Sequence, residues 1–306
     1  MASHENDRGG DARDDDGAPT PAGSQTGRLV VIAMPLGNPD DLSPRARRAL
    51  ETADIVLAED TRTARQVLGS AASRPERTIL SCFDGNEVER AAEAVAWIRA
   101  GRTVALVSEA GTPLVSDPGF RVVAAVVAAG LKVQPIPGPS AVLAALTGAG
   151  LPPDRFTFLG FPPRKSGPRR RLFDSLRGHP FTLVLYESPM RTGETLADLA
   201  EILGETRRAC VARELTKTYE EFVRGTLGEL RDRYAQDRPL GEITLVVGGA
   251  DPDADALAFT DARIAEEALA LLAEGRSARD VADTLAARSG RPRREIYALV
   301  LATKPR

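Results

Sequence analysis

The sequence predicts an α/β protein of about two domains, followed by a helical module. Three observations carry that expectation. Short β-branched apolar runs alternate with helix-like segments from residue 29 to about residue 247. Two of those runs open into loops rich in Gly and Pro. From about residue 259 the strand pattern gives way to three helix-like segments.

The elements follow in order. Residues 29–33 (Leu-Val-Val-Ile-Ala) read as a buried strand, and Ser43-Pro44 supplies the N-cap and first residue of a helix reaching about Thr52. Strands are expected at 55–58 and 78–80, with Asn86-Glu87 capping a helix through Trp97. Residues 103–107 form a second fully apolar strand, the run from Val122 to Leu131 a buried helix, and residues 132–136 another strand. Ser140 caps the helix-like run after it. Gly148-Ala149-Gly150-Leu151-Pro152-Pro153 is the clearest internal break. Further strands are expected at 156–159, 183–186, 209–212, 221–224 and 243–247, and Asp251-Pro252-Asp253-Ala254-Asp255 marks a second break. The resulting division is an acidic tail at 1–26, α/β domains at 27–149 and 150–250, and a basic helical module at 258–306.

Composition bounds the function. The 306 residues are 42% hydrophobic, enough to bury substantial cores, and the formal charge is −3. Residues 1–26 hold six acids against two arginines, so the remainder is mildly basic. That stretch has neither an apolar core nor a basic amphipathic pattern, so it reads as a disordered tail and neither a signal nor a transit peptide is expected. No apolar run is long enough to span a bilayer. Two isolated cysteines, Cys82 and Cys210, suit a reducing cytoplasm and no metal site.

The most informative segments are Ser108-Glu109-Ala110-Gly111-Thr112-Pro113-Leu114-Val115-Ser116-Asp117-Pro118-Gly119 and Pro137-Gly138-Pro139-Ser140-Ala141. In open α/β sheets ligands collect beyond the carboxyl ends of the strands, and glycine lets main chain approach a ligand closely. Both segments therefore read as ligand-cradling loops. The C-terminal segments, 259–274, 278–287 and 293–302, resemble a helix-turn-helix appendage, with Gly275 and Gly290 as stops and Ser277 capping toward Asp280. From Arg276 to Arg306 there are eight basic side chains against three acidic ones, including Arg291, Arg293 and Arg294. A second basic cluster, Arg164, Lys165, Arg169, Arg170 and Arg171 with Arg177, lies beside Gly167-Pro168 and is expected to form a mobile loop. Two such clusters on a near-neutral body point to nucleic acid.

Six segments occur in one order: Ala33-Met34-Pro35-Leu36-Gly37-Asn38, Ala58-Glu59-Asp60-Thr61-Arg62, the 108–119 run, Pro137 to Ala141, Tyr186-Glu187-Ser188-Pro189, and Ala212-Arg213-Glu214-Leu215-Thr216-Lys217. The series over residues 28–248 resembles the ribosomal RNA small subunit methyltransferase I family of the tetrapyrrole methylase superfamily. The resemblance implies a two-domain, tetrapyrrole-methylase-like (class III methyltransferase) α/β fold, usually a homodimer, with S-adenosyl-L-methionine held between domains. It implies 2'-O-methylation of a decoding-centre cytidine in the 16S rRNA of the small ribosomal subunit. By the family's motifs the cofactor would touch Pro35, Leu36, Gly111, Thr112, Val115, Ser140 and Ala141, with Tyr186, Glu187 and Thr244 as further contacts. The family often carries histidines after the Glu59–Arg62 motif, before Asn86 and after Pro189. Here those places hold Thr63, residues 83–85 and Met190, so either the histidines are dispensable or the target or activity has changed.

The chemistry suits these residue types. A ribose hydroxyl is a poor nucleophile near neutral pH, so a base or a cation beside the developing alkoxide would assist. His4 and His179 lie outside the motifs. The remaining candidates are Arg62 and Lys217 as cations binding or polarising RNA, and Asp60 or Glu220 as base. Each has a plainer reading: Arg62 pairing with Asp60, Asn86-Glu87 capping a helix, Arg213-Glu214 forming an ion pair. Two rival functions share the pattern, a tetrapyrrole (corrinoid precursor) methyltransferase and a non-catalytic RNA-binding ribosome-assembly factor. A nucleotide-binding reading lacks the Gly-x-x-x-x-Gly-Lys-Ser/Thr loop.

Overall fold

Residue 105 shows how the first sheet is built: Ala105 and Val107 point to one face while Val104 and Leu106 point to the other, and all four are buried. Such strands, apolar on both faces, require helices above and below them. A computed structural model describes residues 27–250, 260–289 and 291–303. The tail at 1–26, the 251–255 break, Gly290, Lys304 and Arg306 lie outside the described residues.

Five strands form the first sheet: β1 (Arg28–Ile32), β2 (Ile55–Ala58), β3 (Thr78–Ser81), β4 (Thr103–Val107) and β5 (Lys132–Ile136). Their order is β3-β2-β4-β1-β5 and every pairing is parallel. Helices α1 (Pro44–Thr52) and α2 (Thr61–Leu68) share one apolar cluster with one face. On the other face lie α3 (Glu87–Arg99) and α4 (Phe120–Ala128). Ser43 does cap α1, its hydroxyl accepting the Ala46 N–H, with Pro44 next to it. The strand order reverses at β4 and β1, so the loops leaving those two strands occupy the place where such sheets bind ligands.

The second sheet has the order β6-β7-β10-β8-β9, from β6 (Phe156–Phe158), β7 (Thr182–Glu187), β8 (Arg208–Arg213), β9 (Glu221–Thr226) and β10 (Ile243–Val247). Only β6 and β7 are parallel; the remaining pairs are antiparallel. One face carries α6 (Ser166–Asp174), α7 (Thr192–Leu203) and α8 (Leu227–Gln236), with Phe173, Leu199 and Leu230 in the shared core. Helix α5 (Ala141–Ala149) packs against β7, β8, β9 and β10.

That last contact moves the domain division. The chain separates into one unit of residues up to Met34 plus Leu42–Gly138, and another of Pro35–Asp41 plus Pro139 onward. The division therefore falls before α5 rather than at the 148–153 break, because the apolar helix buries itself on the second sheet. The short excursion Pro35–Asp41 after β1 also belongs to the second unit. Cys82 and Cys210 are buried, one in each unit, and burial pushes both thiols up to about 11.

The expected mobile basic loop is instead helical. Gly167 and Pro168 sit in the first turn of α6, where proline is tolerated because the first N–H groups have no intrahelical partner. In the C-terminal module α9 (Asp261–Ala273), α10 (Ala278–Ser289) and α11 (Arg293–Thr303) enclose their own core of Ile264, Ala268, Val281, Leu285, Ile296 and Val300. The Ser277 hydroxyl accepts the Asp280 N–H, as its spacing predicts. Among the described residues no helix is long and apolar enough to cross a membrane.

Candidate functional site

Two loops leave the carboxyl ends of β1 and β4 and are clasped to each other. Met34 N–H donates to Gly111 C=O at 2.7 Å and Gly111 N–H donates back at 3.0 Å. The Ser108 hydroxyl also donates to Gly111 C=O at 3.2 Å. Both backbone groups of Gly111 are thus engaged, so its part is to hold the loop. Its φ of 71° is a left-handed conformation natural to glycine.

Beyond the clasp the backbone is strained: Leu114 has φ 74° and Ser116 φ 69°, on either side of Val115. Non-glycine residues at positive φ cluster at ligand-holding loops, where surrounding structure over-determines them. The far end is pinned by Glu87, whose Oε1 accepts Gly119 N–H at 2.8 Å and Arg121 N–H at 2.7 Å. Asn86 ties the preceding turn through Phe83 N–H and Ser81 C=O and makes no side-chain cap bond, so Glu87 braces α4 rather than capping α3.

Five carboxylates gather electrostatically beyond β2 and β4: Glu59, Asp60, Asp84, Glu109 and Asp117. Asp60 is the N-cap of α2, its Oδ1 accepting Arg62 N–H at 2.7 Å and its Oδ2 the Arg62 guanidinium at 2.6 Å. These bonds hold its carboxyl down at about 2. A carboxylate so stabilised is a weak proton acceptor, which counts against Asp60 as base. The Arg62 side chain is 88% exposed while paired to it. Burial, reinforced by Glu59 and Glu109, pushes Asp117 up to about 6. Asp117 was not among the residues the sequence singled out for chemistry; a carboxylate within a Gly/Pro loop at a strand end was the available signal.

In the second unit the Pro35–Asp41 excursion packs on the loop after β8. Asn38 N–H donates to Thr216 Oγ1 at 3.2 Å, and a Cβ at Gly37 would overlap the Lys217 stem. Lys217 Nζ donates to Glu214 Oε1 at 2.9 Å and Glu242 Oε2 at 3.0 Å. Glu220 Oε2 accepts Thr216 N–H at 2.7 Å. Glu214 and Thr216 are both left-handed, at φ 51° and 66°. Lys217 and Glu220 therefore do not pair: each braces a different side of one strained loop. Nor do Arg213 and Glu214 pair with each other, since Arg213 meets Glu221 at 3.2 Å and Glu214 meets Lys217.

Three further expected residues lie here. Glu187 is buried, with its carboxylate taken by Ser188 N–H at 2.7 Å, Thr195 Oγ1 at 2.6 Å and Arg191 at 2.5 Å. It locks β7 to α7, and its side chain has no exposed surface. Thr244 is buried at the centre of the sheet, paired with Tyr186 and Ala212. Ser140 begins α5 without a side-chain cap bond, so the Ala141 end of the helix presents backbone donors that its N-cap leaves unserved. A cavity of about 200 Å³ beneath α1, lined by Arg28, Arg45, Arg48 and Gln134 among others, includes none of these loops.

The basic clusters are largely self-neutralised. Arg169 is buried against Asp198 at 2.7 Å, and Arg170 bridges Asp198 and Glu201. Arg291 meets Asp261 at 2.6 Å, and Arg293 meets Asp283. These four form intramolecular pairs, and only Arg169 among them is buried. The exposed side chains of Arg164, Lys165, Arg171 and Arg294 have no ion-pair partner among the described residues.

The family model of the Tetrapyrrole (Corrin/Porphyrin) Methylases matches residues 28–231, a span that holds the whole first sheet and four strands of the second. The class is that of S-adenosyl-L-methionine-dependent methyltransferases. A ribosomal RNA small subunit methyltransferase I from Xylella fastidiosa is 44% identical over 276 residues, covering 90% of this chain and 99% of the relative. Its counterpart from Mycobacterium tuberculosis strain H37Rv is 44% identical, covering 91% and 96%. The chain belongs to the ribosomal RNA small subunit methyltransferase I family. Among solved structures, uroporphyrin-III C-methyltransferase from Thermus thermophilus complexed with S-adenyl homocysteine aligns at TM-score 0.51 and 20% identity, over 72% of this chain and 97% of that one.

Proposed function

We propose that this protein transfers a methyl group from S-adenosyl-L-methionine to the ribose 2'-oxygen of a cytidine in the decoding centre of 16S rRNA. The observation that carries the reading is the 44% identity to relatives named for small-subunit rRNA methylation, over nearly their whole length. That span exceeds the methylase domain and takes in part of the C-terminal helices. A tetrapyrrole substrate draws support only from structures below 25% identity, a likeness of fold. Cytoplasmic location and a homodimer belong to the same reading. Light scattering at twice the 32.6 kDa chain mass is the expected result for the dimer.

On this reading Thr112, Val115 and the strained backbone between Gly111 and Gly119 would contact the cofactor, and the family's motifs add Pro35, Leu36, Ser140 and Ala141. When bound, S-adenosyl-L-methionine supplies a methyl group that is already electrophilic, so positioning and exclusion of water supply most of the rate. Glu87, Met34 and Ser108 keep the loop in one conformation. On this reading Arg62, exposed and oriented by Asp60, would meet the RNA, while Lys217 sets the conformation of the loop against Gly37.

The experiment is mass mapping of 2'-O-methyl groups on small-subunit rRNA from cells lacking the protein and from complemented cells. One decoding-centre cytidine is expected to lose its methyl and regain it on complementation. An unchanged map would overturn the reading.

A further inference from the structure

Near the carboxyl ends of β6 and β7 three aromatic rings form a short series. Tyr186 lies edge-on to Phe158 at 5.0 Å between centroids and tilted against Phe161 at 5.4 Å. Phe161 is the outer ring, 56% exposed. The backbone that carries it is fixed: Leu159 N–H donates to Val184 C=O at 2.9 Å, and Tyr186 N–H to Gly160 C=O at 3.0 Å. Arg191 donates to Pro162 C=O at 3.3 Å, joining this segment to the turn that holds Met190, itself 66% exposed. Directly after Phe161-Pro162-Pro163 come Arg164 and Lys165, exposed and without an ion-pair partner among the described residues.

Leaving a phenylalanine largely in water forgoes the favourable burial that its size offers. Here the ring is backed by a second aromatic, held by main-chain hydrogen bonds, and flanked by two uncommitted cations. Rings on which bases stack, beside cations that meet phosphates, are how proteins hold unpaired nucleic acid. The pairing of Arg169 and Arg170 with acids on α7 sharpens the contrast, because the two cations that follow Phe161 most closely along the chain are the ones left unneutralised.

We infer that Phe161 is a stacking shelf for an unpaired RNA base, with Met190 widening its apolar edge and Arg164 and Lys165 holding the adjoining phosphates. The inference rests on the proposed RNA substrate and names the form in which that RNA is held. Fluorescence anisotropy of the full chain tests it, with one labelled RNA oligonucleotide offered single-stranded and annealed to its complement. Phe161→Ala is expected to weaken single-strand binding about 10-fold, Phe161→Trp to retain it, and duplex binding to change by less than about twofold in both. The double variant Arg164→Gln/Lys165→Gln is expected to flatten the single-strand salt slope by about 1.4, which Phe161→Ala leaves unaltered. Thermal melting and cofactor titration of each variant report whether it has folded.

Equal single-strand affinity in Phe161→Ala, equal damage from Trp and Ala, or an unaltered slope in the double variant would overturn the shelf while the methylation reading stands. Failure of the wild-type chain to bind either RNA form would overturn both. Phe161-dependent binding to phosphatidylserine vesicles in place of RNA would assign the patch to a membrane surface and refute the inference.

Discussion

Asp117 carries the most testable electrostatic consequence at the scale of single residues. Its carboxyl stands at about 6, above an ordinary 3.8, chiefly because burial disfavours the charge. Between those values the folded state keeps a proton that the unfolded chain has released, so the associated stability is full below about pH 4 and is lost as pH rises through about 6. Asp117→Asn removes that loss. Its stability relative to wild type, read by thermal unfolding, is expected to be nearly unchanged at pH 4 and greater by roughly 1–2 kcal/mol above pH 6 after allowance for partial exposure. An offset constant across pH would contradict the buried-charge account. Asp60 has the opposite sign: its stabilising bonds with Arg62 persist above its ordinary value and are lost only as pH falls toward about 2. Arg191→Met leaves Glu187 buried with its neutral donors alone, and urea unfolding is expected to show a loss of about 3 kcal/mol. Much at this scale was readable in the sequence, such as the Ser43 cap and the Asp60–Arg62 pair, because these bonds close within a few residues. The bracing part of Glu187 was not legible for the opposite reason, since its partner Thr195 lies a helical turn into α7 and only the fold brings that hydroxyl back to the strand end.

Elements show the same division between local and distant causes. The apolar runs of β2, β4 and β10 mark those strands to the residue, since a strand buried on both faces advertises itself without reference to its neighbours. Helix α6 was hidden: Gly167-Pro168 signals a turn, yet α6 gains Phe173 in the core and the Arg169–Asp198 pair with α7. Those gains come from an element further along the chain. Asp198→Ala is therefore expected to destabilise the protein by about 3 kcal/mol, because buried Arg169 would keep only the longer 3.7 Å contact with the exposed Glu194. Double replacement by Asp198→Leu and Arg169→Met, which removes both charges, is expected to recover most of that loss; denaturant midpoints decide. Failure to recover would mean that geometry rather than charge holds the two helices together.

Across the whole molecule, the sequence suggested two α/β bodies and a helical appendage, and the part it misplaced was the connection. Helix α5 is apolar enough to belong to either sheet by pattern, and its packing on β7 through β10 assigns it to the second. The C-terminal helices enclose a core of their own, which makes a clean truncation meaningful. A chain ending at Ala250 is expected to keep cofactor affinity within about twofold by calorimetry, while RNA affinity falls and its salt dependence flattens. Equal loss of both would show that the appendage supports the methylase body itself.

The two cysteines give the molecule a pair of internal clocks. Each unit holds one thiol, sealed and kept protonated, so an alkylating reagent reaches it only when that unit opens. Peptide-resolved labelling of Cys82 and Cys210 therefore times the opening of the two halves separately within one chain. Equal rates that slow together on adding S-adenosyl-L-methionine would reveal halves that yield as one body; a ligand that slows only one clock would show which half closes around it.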